Sequence, residues 1–243
     1  MKILSVVIPF LNEENTIEKM LDTVLAVDLS PLWYEKEILL VNDGSTDWSE
    51  KKVQELIDKY QRRWTSIKLL SNDRNYWKGY SIKRWFNEAS GDLLIIQDAD
   101  MEYDPSDYLV LIKHLEDNKL DFVYGSRILW MKAFHNSYST KSFLFGWLAV
   151  SIMTSILAMK KVTDEPTCYK LYKKELKDLL VKPEENWFEW EPAATMILLR
   201  KWFRYWEMPI HYFARKVTEW KKIKWKDWII ALYTLLKWRF KKI

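Results

Sequence analysis

Short, almost uninterrupted apolar runs, separated by segments of helical spacing, constrain this chain more than any other feature. ILSVVIPF (3–10), EILLVND (37–43), SIKLL (66–70), DLLIIQD (92–98) and DFVYG (121–125) are strand-length and rich in β-branched residues. Helices are predicted between them over 13–27, 47–61, 80–89 and 106–117, the first from the spacing of Ile17, Met20, Leu21, Val24 and Leu25. Strands apolar on both faces, each followed by a helix, predict an α/β fold with a mostly parallel, Rossmann-like sheet covered on both sides. Right-handed crossovers then bring the carboxyl ends of the strands to one edge, where such sheets place their ligands.

The second half is less regular. SFLFGWLAVSIMTSILAM (142–159) carries no charge and is flanked by Lys141 and Lys160. It is short for a membrane span, and Ser142, Gly146, Ser151, Thr154 and Ser155 weaken it further. A helix lying at a membrane interface is the expectation, with a buried core helix as the alternative. Residues 162–176 read as loop, short strand and helix start, 191–202 as helix, 204–213 as extended and 225–240 as a last helix. Met1-Lys2 leads into an apolar run cut short by proline and NEEN, unlike a cleavable signal peptide.

The net charge of +4 hides an asymmetry. Residues 215–243 hold 10 Lys/Arg and 2 Asp/Glu, leaving 28 against 32 in residues 1–214. The chain therefore divides into a domain over 1–214 and a basic segment over 215–243 that packs on it or extends it. Interleaved Trp225, Trp228, Tyr233, Trp238 and Phe240 fit an anionic partner: phosphate groups, a lipid surface or nucleic acid. Cys168 is the single cysteine, which excludes a disulfide framework and a multi-cysteine zinc site.

Acids gather where strands end. Asn12, Glu13 and Glu14 follow the first strand; Asn42, Asp43 and Ser45 end the second; Asp98, Asp100 and Glu102 end the fourth. Asp47 and Asp104 read as helix caps. Asp98 and Asp100 lie two apart in an extended segment and face the same way, so they repel unless a cation sits between them. Hard oxygen donors suit Mg²⁺ or Mn²⁺, with positions left open for substrate phosphates. A calcium loop over DADMEYD fails, because Tyr103 stands where that loop needs glycine and Leu109 where it needs glutamate.

SVVIPFLNEENTI, LLVNDGSTDWS, GDLLIIQDADMEYDP, VYGSRI, TDEPTCYK and the stretch from EP to MPIHYFAR resemble the family 2 glycosyltransferases, in order and over nearly the whole chain. They look most like the branch that glycosylates polyprenyl (dolichyl) phosphates. The resemblance implies a GT-A fold, a nucleotide-diphosphate sugar donor of the GDP-mannose or UDP-glucose type, a divalent cation and transfer with inversion. It implies a nucleotide pocket of Pro9, Asn12, Glu14, Asn42, Asp43 and Asp98, with Asn42 where relatives often carry Asp. It implies metal ligands Asp98, Asp100 and Glu102, and Arg127 near the acceptor phosphate. Arg215, Lys221 and Lys222 would close on phosphates. Asn136 stands where many relatives have arginine. A lipid phosphate needs no strong general base, whereas a hydroxyl acceptor does, and Asp164 is then the motif-matched candidate, a loop-ordering carboxylate being its other reading.

The leading expectation is thus a peripheral enzyme at the cytoplasmic face of a membrane, moving a hexose onto a polyprenyl phosphate. A transferase acting on a soluble or glycan hydroxyl and an inactive nucleotide-sugar binder stay open. A nucleotidyltransferase should show a Gly-rich, Arg-containing loop after the first strand, which IPFLNEENT lacks. Nucleic acid is not an expected partner, since it leaves the acidic rim unexplained.

One composition figure is anomalous: 5 Gly beside 15 Trp, where ordinary usage gives roughly 17 Gly. Trp48, Trp77, Trp85, Trp130, Trp202, Trp220 and Trp228 fall where the family pattern has glycine, and Trp33 and Trp187 are further candidates. A UGA codon read as glycine in the organism and printed as tryptophan produces this pattern; a Trp-rich protein is the alternative.

Overall fold

The computed structural model describes residues 1–60, 66–129, 131, 136, 141–215 and 225–242. Strands β1 (Lys2–Phe10), β2 (Tyr34–Asn42), β3 (Ser66–Ser71), β4 (Leu93–Ile96), β5 (Phe122–Ser126), β6 (Lys170–Lys173) and β7 (Tyr205–Pro209) form one sheet in the order β3-β2-β1-β4-β6-β5-β7. All pairings are parallel except those of β6, which runs antiparallel to both β4 and β5. Helices α1 (Ile17–Ala26), α2 (Ser49–Tyr60), α3 (Lys78–Glu88), α4 (Tyr108–Asp117), α5 (Lys141–Ala158), α6 (Lys177–Leu180), α7 (Trp190–Arg200) and α8 (Trp225–Phe240) complete the chain. The expected α/β architecture is present, with every predicted element within a few residues of its expected place.

Continuous apolar runs occur because the central strands are covered on both faces. Val6, Val7 and Ile8 of β1 and Leu94, Ile95 and Ile96 of β4 are fully buried. Helix α1 buries the predicted Ile17, Met20, Leu21 and Val24. The reversal of β6 has a consequence for the ligand edge. Its beginning, rather than its end, lies beside the ends of β4 and β5, so residues 163–169 join the acidic rim.

Helix α5 is buried on one side, as the core-helix alternative expects, and exposed on the other. Trp147, Val150, Ser151, Thr154 and Ala158 are buried, while Phe145, Ile152, Ile156 and Met159 form an exposed apolar stripe. Its hydroxyls are satisfied within the helix: Ser151 donates to the Trp147 carbonyl at 2.7 Å and Thr154 to the Val150 carbonyl at 2.8 Å. Helix α8 packs against α5 and α7. At Gly146 a β-carbon would lie 2.6 Å from the Trp228 ring, so glycine permits this close crossing of α5 and α8.

The backbone bears on the tryptophan anomaly. Trp33, Trp77 and Trp202 have φ of 61°, 77° and 61°. Trp77 combines its φ of 77° with ψ of 159°, a region occupied essentially by glycine alone. These three positions support the glycine reading. Trp85 does not bear that mark: it is buried within α3 and donates its indole N–H to the Leu40 carbonyl at 2.8 Å. Trp130 and Trp220 lie outside the described residues. Trp33 and Trp202 are also 75% and 68% exposed, so little packing is lost on replacing them. Left-handed backbone costs an L side chain about 1–2 kcal/mol. Trp33→Gly and Trp202→Gly should therefore each raise the thermal midpoint by roughly 2–4 °C, read by differential scanning calorimetry. A fall in both would refute the glycine reading at these sites.

Candidate functional site

A cavity of about 190 Å³ opens at the carboxyl edge of the sheet, lined by residues that follow β1, β2, β4 and β5 and precede β6, together with α3, α5, α7 and α8. Pro9, Asp43, Asp98, Asp100, Glu102, Arg127 and Arg215 reach it as expected. Asp43 is oriented by Asn72 Nδ2 at 2.8 Å and by the Tyr76 N–H at 3.0 Å. Asn12, Glu14 and Asn42 do not line it; they tie the two loops that frame it. Asn12 Oδ1 accepts from the Thr46 N–H, Glu14 Oε2 from the Trp48 N–H and Asn42 Oδ1 from the Ser45 N–H. Glu13 lines the wall in place of Glu14. Asp47 and Asp104 accept from the N–H groups of Ser49 and Ser106, as caps do.

The acidic rim is held by cations from distant segments. Asp98 Oδ1 lies 2.8 Å from Lys78 Nζ, and Asp100 Oδ2 lies 2.8 Å from an Arg215 guanidinium nitrogen. Burial, then the charges of Asp98 and Glu102, push Asp100 up to about 7, with Arg215 pulling the other way. Burial works against the charge on Lys78, but Asp98, Cys168 and Glu191 outweigh it and hold the ammonium well above its ordinary range. The Glu102 carboxylate accepts from Tyr212 Oη at 2.8 Å and from the Arg215 N–H at 2.7 Å. Among the described residues no three His, Cys, Asp or Glu side chains are arranged to hold a metal. Two adjacent carboxylates that repel across a cavity still fit Mg²⁺ or Mn²⁺, because such ions commonly take one or two protein carboxylates and complete their shell with substrate phosphates.

Arg127 is not free to meet a ligand on all sides. It is 4% exposed, with Nε and one terminal nitrogen on the Asp164 carboxylate at 2.8 and 2.7 Å. Its guanidinium stacks 3.9 Å from the centre of the Trp147 ring. Asp164 is fully buried, does not line the cavity and also accepts from the Arg127 N–H at 2.8 Å. These bonds fit the loop-ordering reading of Asp164. Asn136 donates to the carbonyls of Arg127 and Ile210 and accepts from the Tyr212 N–H, so it locks the segments beside Arg127. Lys221 and Lys222 lie outside the described residues.

Three side chains of this site were not singled out from the sequence. Lys78 bridges Asp98 and Glu191, the latter at 3.1 Å, and Glu191 in turn pairs with the fully buried Lys170 at 2.6 Å. Lys170 sits in TDEPTCYK and Glu191 in the EP pair, both motifs of the family resemblance, and Lys78 follows Trp77, a position where the family pattern has glycine; the pairing is not visible in any of them.

The mostly parallel sheet with carboxylates gathered at one edge is the arrangement expected of the GT-A class of glycosyltransferase folds. Residues 5–180 match glycosyl transferase family 2, and the chain belongs to that family. It is 26% identical over 238 residues to a dolichol-phosphate mannosyltransferase of Pyrococcus furiosus, covering 96% of this chain and 64% of that one. It is 37% identical over 139 residues to an uncharacterised glycosyltransferase of Synechocystis, covering 54% and 41%. The chain thus spans less than two-thirds of either relative. Among solved structures, glucosyl-3-phosphoglycerate synthase of Mycobacterium tuberculosis superposes with a TM-score of 0.69 at 17% identity, covering 100% of this chain and 80% of that one. A mannosyltransferase of Pyrobaculum calidifontis, solved with GDP-mannose and Mn²⁺, superposes at 0.60 and 17% identity, covering 98% and 62%.

Asp164→Asn would leave the Arg127 charge buried without its partner. The variant should lose about 3–5 kcal/mol in urea unfolding. An unchanged unfolding midpoint would show that the pair is not closed in solution.

Proposed function

We propose that this chain transfers a hexose, with inversion and with the help of a divalent cation, from a nucleotide-diphosphate sugar to a polyprenyl phosphate at a membrane surface. The observation that carries the lipid acceptor is the double use of α5 and α8. Trp147 and Val150 of α5 and Trp228 and Ala231 of α8 wall the cavity. The same helices expose Phe145, Ile152 and Ile156, and Ile229, Tyr233 and Phe240, outward. A lipid phosphate needs this arrangement, with its head among charges and its chain in an apolar phase. No helix among the described residues is long and apolar enough to cross a membrane. Exposed apolar stripes beside Lys237, Arg239, Lys241 and Lys242 of the basic segment fit peripheral attachment by insertion plus charge.

Asp43 and Pro9 hold the nucleoside end of the donor, and Lys78 and Arg215 present positive charge to the diphosphate. Asp98 and Asp100 would hold a Mg²⁺ or Mn²⁺, which would supply the remaining charge stabilisation for the leaving group. The lipid phosphate is ionised near neutral pH and attacks the anomeric carbon in line, so the chain needs no proton acceptor for it. That agrees with the engagement of Asp164 by Arg127.

Transfer from UDP-glucose or GDP-mannose to polyprenyl phosphate should require Mg²⁺ or Mn²⁺ and be abolished by Asp98→Asn with the fold intact by circular dichroism. Turnover persisting in excess chelator would remove the cation from the reaction. Withdrawing an isoleucine from lipid costs on the order of 1.5 kcal/mol, roughly tenfold in partitioning. Ile152→Ser and Ile156→Ser should each weaken flotation with anionic liposomes by about that factor and reduce transfer to a long-chain acceptor more than to a short soluble one. A protein that stays free of such liposomes at low salt would exclude the lipid acceptor and favour a soluble one.

A further inference from the structure

Glu165 is the one residue of the cavity wall with a fully buried carboxylate and no hydrogen-bond partner for either oxygen among the described residues. Its surroundings are already engaged with one another. Asp164 holds Arg127, Lys170 is on Glu191 at 2.6 Å and the Thr167 carbonyl, and the Thr195 hydroxyl shares a 2.8 Å hydrogen bond with Tyr124. Its backbone N–H is fixed by Ser151 Oγ at 2.9 Å, so the side chain is positioned from α5. A buried carboxylate whose oxygens accept no well-formed hydrogen bond, with the Thr195 hydroxyl shared with Tyr124, costs several kcal/mol. Such a group is retained to best effect where a ligand supplies the donors.

The strand order says which part of the ligand that is. Along the rim, Asp43 follows β2, Pro9 and Glu13 belong to β1 and its loop, Asp98 and Asp100 follow β4, and Glu165 precedes β6, the next strand over. If the nucleoside lies at β2 and β1 and the diphosphate at β4, the sugar falls one strand spacing farther, about 4.8 Å, beside Glu165. Trp147 and Pro166 wall the same region; such apolar surfaces suit the C–H faces of a pyranose, while a carboxylate suits its hydroxyls.

We propose that Glu165 recognises the transferred sugar, its two carboxylate oxygens accepting hydrogen bonds from sugar hydroxyls; this rests on the transferase function proposed above. It makes Glu165 a specificity residue, distinct from the charged groups that hold the diphosphate. A site built around hydrogen bonds to a hydroxyl discriminates strongly against ligands that lack it, because its buried polar atoms are then left unpaired. The same feature should lower the stability of the ligand-free protein.

The test pairs stability with binding. Glu165→Gln and Glu165→Leu remove a buried charge at similar volume, so the ligand-free variants should unfold at a higher temperature than the parent. Burial raises the Glu165 carboxyl, Lys170 lowers it, Glu191 raises it, the Thr195 hydroxyl lowers it and Asp164 raises it, and it stands at about 7. A carboxyl raised in the folded state loses stability as pH rises through that range. The advantage of the Gln variant should therefore grow from pH 5 to pH 8. In calorimetric titrations with Mn²⁺, both variants should bind UDP-glucose or GDP-mannose, whichever the parent prefers, at least tenfold more weakly, with UDP and GDP affinities unchanged. Equal losses for sugar-bearing and sugarless nucleotides, or lower unfolding temperatures for both variants, would overturn the assignment and leave Glu165 a packing residue. Lost turnover with donor affinity intact would overturn it in favour of proton transfer. A parent protein that binds none of the four nucleotides would overturn the transferase reading itself.

Discussion

Carboxylates crowded along one edge of a parallel sheet must be neutralised, and the rest of this structure is organised around doing so. The compensating charges come from far along the chain. Lys78 at the start of α3 meets Asp98, Arg215 beyond β7 meets Asp100, and Glu191 of α7 links Lys78 to Lys170 of β6. An alternating line of charge thereby runs from the rim into the interior. Each member would be costly alone in a low-dielectric setting, and together they join the first four strands to the second half of the chain.

The second half is fitted to that line in two ways. Reversal of β6 carries the 163–169 segment to the rim, where Arg127 and Asp164 close a buried pair stacked on Trp147. Helices α5 and α8 then roof the cavity with aromatic and small residues while turning an apolar stripe outward. One pair of helices thus encloses the charged chemistry and offers a surface to an apolar phase. Residual misfits concentrate where they have meaning. Trp77 adopts a backbone suited to glycine at the entry to α3, and Glu165 keeps an unpartnered carboxylate in the cavity wall.

Much of the architecture was legible in the chain alone because it depends on local pattern. Apolar runs without alternation mark doubly covered strands, and the spacing of Ile17, Met20, Leu21 and Val24 marks a helix face that the fold does bury. Asp43, Asp98 and Asp100 were readable as rim acids because they follow predicted strands of a parallel sheet. Trp77 and Trp202 stood out as bulk at positions where the family pattern has glycine, and the backbone there has positive φ. Each inference needs only a window of a few residues or the general topology of α/β sheets.

What required the tertiary structure is pairing across long separations. No window shows that Asp164 lies against Arg127, 37 residues earlier, that Glu102 turns toward Tyr212, 110 residues later, or that β6 runs backwards. Nor could pattern tell that Asn12, Glu14 and Asn42 brace loops while Glu13 faces the cavity, since side-chain direction in a loop follows from its partners. The sequence by itself determined where strands, helices and candidate acids lie, because secondary structure follows nearest-neighbour periodicity. Only the folded chain decided which acids are compensated, and it leaves the Glu165 oxygens without a well-formed hydrogen bond among the described residues, because electrostatic pairing depends on distance in space rather than along the chain.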